Sequence, residues 1–282
     1  MPELPEVETI CIALRNGGRG GVSIIGSRVE DSHLLWEGSL AKPTSLEFRE
    51  RILGQIVRDV GRRGKYILMQ FSEDTLLIHL RMSGDLVVEM QTEPVAAHHR
   101  MMLDLDGGIR LAFNDTRKFG RIWLVADPQT VVGNLGPEPL NGDFTPQVLH
   151  KRLQAHRRQL KPLLLDQNFI AGLGNIYTDE ALHRARLHPL LISNTLNSSQ
   201  SKNLWFSIRQ VLKEGIQRQG ASIDWVYRGG DFQNYFSVYQ RTGDPCSTCG
   251  APIQRILVGQ RGTHFCVNCQ PLSISPVVDK DG

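Results

Sequence analysis

The chain has 282 residues and a normal apolar fraction, enough for one large globular domain or two ordinary ones. No apolar run approaches the roughly 18–20 residues that a membrane helix needs. The opening Met1-Pro2-Glu3-Leu4-Pro5-Glu6 carries acids where a secretory signal has bases and then an apolar stretch. No membrane partner is expected, and the expected location is the cytoplasm, associated with the nucleoid if the source is bacterial. The net charge of +3 is unevenly spread: residues 1–140 hold 16 Lys and Arg against 19 Asp and Glu, and residues 141–282 hold 16 against 10. A basic C-terminal half fits a polyanion such as nucleic acid, but an ordinary solvated surface explains the charge more simply.

Val7, Ile10, Cys11 and Leu14 fall at helical spacing and predict an opening helix over 3–14. Short alternating runs follow at 22–25, 66–71, 75–80, 86–90, 101–105, 109–113 and 121–125, several separated by turn residues such as Ser83-Gly84 and Asp106-Gly107-Gly108. Regularly spaced short strands predict a β-sandwich or barrel. Leu135-Gly136-Pro137-Glu138-Pro139-Leu140 reads as a linker. Helical periodicity then predicts helices over 145–155, 158–166, 176–184 and 199–219. The tail over 272–282 has little to pack and is expected to be disordered.

Four of the five cysteines cluster as Cys246-Ser-Thr-Cys249 and Cys266-Val-Asn-Cys269, with sixteen residues between the pairs. This is the spacing of a zinc ribbon, in which each short pair offers two thiolates to one tetrahedral ion. Four sulfurs leave no open position, so one structural Zn2+ per chain is expected. Strands over 253–258 and 263–265, joined by Gly259-Gln260-Arg261-Gly262, complete the ribbon. Arg261 at that tip can reach a phosphate or simply be solvated.

Gly172 and Gly174 open a turn before a helix starting at Ile176. Such a turn suits a phosphate, and equally suits plain helix packing. Asn175 can cap the helix or donate its amide to a phosphate oxygen.

Met1-Pro2-Glu3-Leu4-Pro5-Glu6-Val7-Glu8-Thr9 resembles the start of the formamidopyrimidine-DNA glycosylase family. The resemblance continues in order through Arg63-Gly64-Lys65-Tyr66, His79–Gly84, Asp115–Gly120, Leu135–Leu140, Lys161–Asn175 and Gln260–Thr263. It implies an α+β fold: an N-terminal β-sandwich with an opening helix over 1–134, a linker over 135–144, a helix-two-turns-helix DNA-binding domain over 145–235, and a β-hairpin zinc ribbon over 236–271 ahead of the tail. It also implies catalytic roles. Trimming of Met1 exposes Pro2 as a secondary amine. An α-amino group titrates near about 8, against about 10.4 for lysine, so part of it is neutral and nucleophilic at pH 7. By resemblance Pro2 is the Schiff-base nucleophile, Glu3 the proton donor for base release and sugar opening, Lys65 the donor for the first elimination and Arg261 for the second. An arginine is hard to deprotonate, so Arg261 is expected mainly to bind and polarise the phosphate.

A glycosylase flips its target base out of the stack, at a cost of about a few kcal/mol. By resemblance Met82, Arg117 and Phe119 fill the gap, the first and last replacing stacking and the arginine meeting the widowed base. His98, Asn175, Lys65 and Arg261 are expected at phosphates, with Arg157 a further candidate. Ala221–Tyr235 stands where the family has its lesion-covering loop, but its sequence departs from the commoner versions, so no base contact carries over. The implied partner is double-stranded DNA containing oxidised bases or abasic sites, met by a monomer. The Pro-Glu-Leu-Pro-Glu start resembles the branch directed at oxidised purines (8-oxoguanine and formamidopyrimidines). Its rivals are a pyrimidine-directed enzyme of the same family and a zinc-ribbon damage-binding protein without catalysis.

Overall fold

The computed structural model describes residues 1–222 and 229–272. Residues 273–282 of the expected tail, and 223–228 of the lesion-loop segment, lie outside the described residues. Two compact units form, one from Met1–Glu138 with Leu212–Asn234, the other from Pro139–Val211 with the chain from Tyr235 onward.

The first unit begins with α1 (Leu4–Asn16), which buries Leu4, Val7, Ile10, Cys11 and Leu14 along one stripe. It continues through β1 (Val29–Leu34), β2 (Leu40–Lys42), α2 (Ser45–Ile52), β3 (Asp59–Arg63), β4 (Tyr66–Gln70), β5 (Thr75–His79), β6 (Gly84–Met90), β7 (His99–Leu105), β8 (Ile109–Asp115), β9 (Arg121–Val125) and α3 (Gln129–Val132). One sheet runs β1-β7-β8-β6 and the other β2-β9-β5-β4-β3. Leu103, Leu111 and Phe113 from the first sheet pack in one core with Ile67, Leu76, Ile78 and Ile122 from the second, together with Val7, Ile10 and Leu14 of α1. That shared core makes the pair a β-sandwich. Along β3, the helix is held by Arg15, whose Nε donates to the Val60 carbonyl at 2.9 Å, and by the Cys11 thiol, 3.1 Å from the Gly61 carbonyl.

The strand expected over 22–25 does not form. The Ile24 N–H instead donates to the Leu14 carbonyl at 3.0 Å and the Ser23 hydroxyl to the Arg15 carbonyl at 2.6 Å, folding the segment onto the end of α1. Five elements, β1, β2, β3, α2 and α3, have no counterpart in the expected set. Each is short and most are polar, which hides the period, although Thr44 before Glu47 marks the start of α2 and accepts the Glu47 N–H at 3.3 Å.

The second unit contains α4 (Pro146–Gln154), α5 (Leu160–Leu165), α6 (Asn175–Arg184), most of α7 (Ser198–Gln217), and the hairpin β10 (Ile253–Val258) with β11 (Arg261–Cys266). Thr145 caps α4 with Pro146 following it, the expected start chemistry. The α5 helix begins later than expected. Arg158 and Ser193 exchange backbone and side-chain hydrogen bonds, and Gln159 bridges Ile192, so those residues are committed elsewhere. The Trp205 indole N–H donates to the Phe144 carbonyl at 2.6 Å and ties α7 to the chain ahead of α4.

Candidate active site and nucleic-acid interface

Pro2 is buried and Glu3, 3% exposed, stands at the N-cap of α1, while Met1 projects at 41% exposure. The Glu3 N–H donates to Glu6 Oε2 at 2.7 Å, and the other oxygen of Glu6 accepts the Ala221 N–H at 2.8 Å. One carboxylate therefore fixes both the backbone beside Pro2 and the entry to the 221–235 segment. A Cβ on Gly220 would lie 2.7 Å from Glu6 Oε1, so glycine is required there.

Lys65 occupies the two-residue turn between β3 and β4, where Arg63 pairs with Tyr66 and Gly64 takes a left-handed φ of 57°. Its side chain is buried, at 5% exposure. Glu138 sets the turn: it accepts the Gly64 N–H at 2.5 Å, Arg63 at 3.1 Å and Arg62 at 2.9 Å. Arg62 also donates to Glu8 of α1 at 2.9 Å, which links the lysine turn to the helix that carries Glu3. His79 lies under this region. Burial, helped by the positive charges of Arg81 and Lys65, pushes its pKa down to about 3, so the ring is neutral. Its Nδ1 accepts the Arg81 N–H at 3.1 Å, which places the remaining ring proton on Nε2.

Met82, Arg117 and Phe119 project from two loops built for exposure. Met82 and Phe119 are 41% and 49% exposed, and the Arg117 guanidinium lies 5.0 Å from the Phe119 ring centroid. They are not core residues. Each apolar tip follows a non-glycine residue in the left-handed region, Arg81 at φ 53° before Met82 and Lys118 at φ 60° before Phe119. Such conformations persist only where the surroundings impose them. Here Asp115, fully buried, accepts the Gly120 N–H at 2.7 Å, the Arg117 N–H at 3.2 Å and the Ser83 hydroxyl. Ser83 in turn accepts the Arg117 N–H at 3.1 Å, joining the two loops. Asp115→Ala leaves the buried Gly120 N–H and the Ser83 hydroxyl without this acceptor, so a loss of about 3 kcal/mol is expected in urea unfolding. Weaker duplex binding should accompany it, and unchanged stability would show that the carboxylate does not hold the loops.

His98 is exposed, and its Nδ1 lies 3.3 Å from the Arg100 guanidinium, whose Nε donates to the Asp115 carbonyl at 2.7 Å. Arg157 is exposed in the connection between α4 and α5.

In the second unit, β10 and β11 are joined by only Gly259 and Gln260, both left-handed at φ 55° and 62°. The expected four-residue connection is thus a two-residue turn, and Arg261 opens β11 with its side chain exposed. Lys161 and Asp179 form a fully buried ion pair at 2.6 Å behind the hairpin. Lys161 Nζ donates to the Gly262 carbonyl at 3.0 Å, and Asp179 accepts the His264 N–H at 2.9 Å. Asn175 is not the cap of α6. Gly174 takes that place, and Asn175 Nδ2 donates to the same Gly262 carbonyl at 3.0 Å. The Gly172 N–H is likewise occupied, by the Gln167 side chain at 2.9 Å.

The four cysteines bring their sulfurs within 4.8 Å of one another. Cys246 and Cys269 are 3.9 Å apart at Sγ, and Cys249 and Cys266 3.4 Å. A disulfide needs about 2.05 Å, whereas four sulfurs about 2.3 Å from a tetrahedral zinc lie about 3.8 Å apart. The cluster fits one structural Zn2+. Gly250, at φ 75°, closes the first knuckle, and the His183 Nε2 lies 3.5 Å from the Cys246 sulfur.

Comparison with known proteins agrees with this geometry. Family profiles match residues 1–122 as the formamidopyrimidine-DNA glycosylase N-terminal domain, 135–226 as its H2TH domain and 243–272 as a zinc finger found in FPG and IleRS. The formamidopyrimidine-DNA glycosylase of Protochlamydia amoebophila is 41% identical over 279 residues, spanning 96% of this chain and 99% of its own. That of Chloroflexus aurantiacus is 46% identical over 278 residues, spanning 96% and 98%. The chain belongs to the formamidopyrimidine-DNA glycosylase family. Among solved structures, the Lactococcus lactis Fpg bound to DNA containing N7-benzyl-Fapy-dG superposes with a TM-score of 0.88 at 34% identity, over 96% of this chain and 100% of that one. The same enzyme with abasic-site DNA gives 0.88 at 34%, over 95% and 99%.

For a formamidopyrimidine-DNA glycosylase, the residues expected to take part in catalysis, DNA binding and zinc binding fall in both units. Pro2, Glu3, Lys65, Met82, His98, Arg117 and Phe119 belong to the first, and Asn175, Arg157, Arg261 and the zinc cysteines to the second. Sequence reasoning missed the groups that hold them: Glu6, Glu138, Asp115, Arg100 and the Lys161–Asp179 pair. Glu6, Asp115, Glu138 and Lys161 lie within the segments that carry the family resemblance, but nothing in the sequence told which groups they would hold.

Proposed function

We propose that this protein is a bifunctional DNA glycosylase and abasic-site lyase of base excision repair, acting in the bacterial cytoplasm at the nucleoid. Its substrates are oxidised purines, 8-oxoguanine and formamidopyrimidines, in duplex DNA. The observation that carries the reading is the buried Pro2-Glu3 pair at the head of α1, in a unit that also presents Met82, Arg117 and Phe119 on carboxylate-built loops.

Once Met1 is removed, the Pro2 nitrogen attacks the sugar C1′ and the bond to the base breaks. The base leaves with a proton, for which the Glu3 carboxyl is the donor beside the amine. The C1′–O4′ bond then breaks, O4′ taking through Glu3 the proton that the Pro2 nitrogen gives up, and the opened sugar is an iminium between Pro2 and C1′. This acidifies C2′, whose proton is lost as the C3′–O bond breaks. Lys65, fixed by the Glu138-bound turn, serves this first elimination. Loss of the C4′ proton then breaks the C5′–O bond, with Arg261 binding the departing phosphate. Hydrolysis of the iminium returns the Pro2 amine. The helix-two-turns-helix segment over 145–235 and the ribbon over 236–271 supply DNA contacts, while zinc holds the hairpin that presents Arg261.

Substrate class is tested by single-turnover cleavage of matched duplexes carrying 8-oxoguanine, a formamidopyrimidine or thymine glycol. The purine lesions should be cleaved at least about tenfold faster. Preferred cleavage of thymine glycol would move the protein to the pyrimidine-directed branch.

A further inference from the structure

The loop after β1 carries an aromatic side chain that the reaction above does not use. Trp36 is 40% exposed, yet its backbone is firmly held. Its N–H and that of Leu35 both donate to the Arg100 carbonyl, at 3.0 and 2.9 Å. The indole lies so close to Gly38 that a Cβ there would come within 2.7 Å of its Nε1. Arg121 from β9 donates to the Gly38 carbonyl and closes the loop from the other side.

Onto this fixed ring comes Lys118, whose ammonium sits 4.0 Å from the indole centroid. Lys118 lies between Arg117 and Phe119, in the loop that Asp115 builds, and its left-handed backbone is imposed by that loop. Among the described residues, the ammonium is paired with an aromatic face rather than with a carboxylate. An aromatic seat restricts the long side chain without neutralising it. A lysine so held reaches an anion having already lost much of the rotamer freedom that an exposed lysine gives up on binding.

We propose that Trp36 is a positioning residue for DNA binding: its indole seats the Lys118 ammonium so that it meets a backbone phosphate beside the Arg117–Phe119 tip. This rests on the DNA-glycosylase reading. It assigns Trp36 no contact with the damaged base, so its effect should be the same whatever the lesion.

The test is a double-mutant cycle read by fluorescence anisotropy on a duplex with a tetrahydrofuran abasic-site analogue, repeated over a range of salt. Trp36→Ala should weaken binding about threefold, the scale of an exposed cation–π contact, with its salt slope kept. Lys118→Met should weaken it about tenfold and lower the slope of log K against log salt by about 1. The double variant should bind no more weakly than Lys118→Met alone, and Trp36→Phe, which keeps a ring, should bind like the parent. Unchanged binding by Trp36→Ala, or losses that add in the double variant, would overturn the seat. Failure of the parent itself to bind the duplex would instead overturn the DNA-glycosylase reading beneath it.

Discussion

A protein that keeps Met1, or any N-terminal tag, ahead of Pro2 is expected to bind an abasic-site duplex within about threefold of the trimmed protein and to lose at least about 10³-fold in strand cleavage. With a residue in front of it, the proline nitrogen is a tertiary amide, whose lone pair is delocalised into the carbonyl. Trimming turns the same atom into a secondary amine that is partly neutral at pH 7. The backbone beside the proline is held independently of Met1, because the Glu3 N–H is bonded to Glu6 at 2.7 Å. The measurement is single-turnover cleavage alongside anisotropy, on preparations whose first residue is established by mass spectrometry. Full cleavage by a protein of verified intact Met1 would remove Pro2 from the nucleophile's role.

The contrast between α1 and the loops shows what the sequence could reveal. The α1 stripe repeats every three or four residues, and the hydrophobic period alone locates it. The cysteine spacing similarly declares the metal cluster before any geometry is known. By contrast, the short strands β1 and β2 are fixed by neighbours distant in sequence, β1 by β7 and β2 by β9. Local propensity carries no trace of such pairings. The same holds at the site. Pro2, Glu3 and Lys65 are legible through resemblance, whereas their supports are not. Glu138 reaches Gly64 across 74 positions and Glu6 reaches Ala221 across 215. A carboxylate that satisfies backbone N–H groups so far away is set by the fold, not by a motif. Asn175 shows the reverse: its place before a helix left a cap and a phosphate contact both open, and the fold gives the cap to Gly174 and turns the Asn175 amide to the hairpin.

Cys266→Ser is expected to lower bound zinc from one ion per chain to less than about 0.2 and to cut strand cleavage by at least about 100-fold. The small apolar cluster around the ribbon consists of Val238, Cys246, Ile253 and Cys266, with Ala251 and Cys269 against it. Two of its four buried members are themselves ligand cysteines, so losing the metal loosens half of this cluster, while Val258 and Phe265 of the hairpin are buried outside it. Structural zinc contributes about 10 kcal/mol or more to the folding of comparable small sites. Without it the β10–β11 pairing should fray and Arg261 lose its place, although Lys161 and Asn175 still reach for the Gly262 carbonyl. Elemental analysis and hydrogen exchange read the two effects separately. Exchange should rise across 246–270 and stay slow in the strands of the sandwich. A zinc-free variant with protected hairpin amides and full cleavage would show that the metal is dispensable.

The most direct test of the central claim traps the covalent intermediate. The Met1-trimmed protein is mixed with an 8-oxoguanine duplex in the presence of borohydride, which reduces an iminium to a stable amine. The adduct is then digested and sequenced by mass spectrometry. The expected result is a single protein–DNA adduct on the nitrogen of Pro2, present in the trimmed protein and missing from one that retains Met1. An adduct mapping to Lys65 or another lysine, or no adduct where the strand is nonetheless cut, would contradict it.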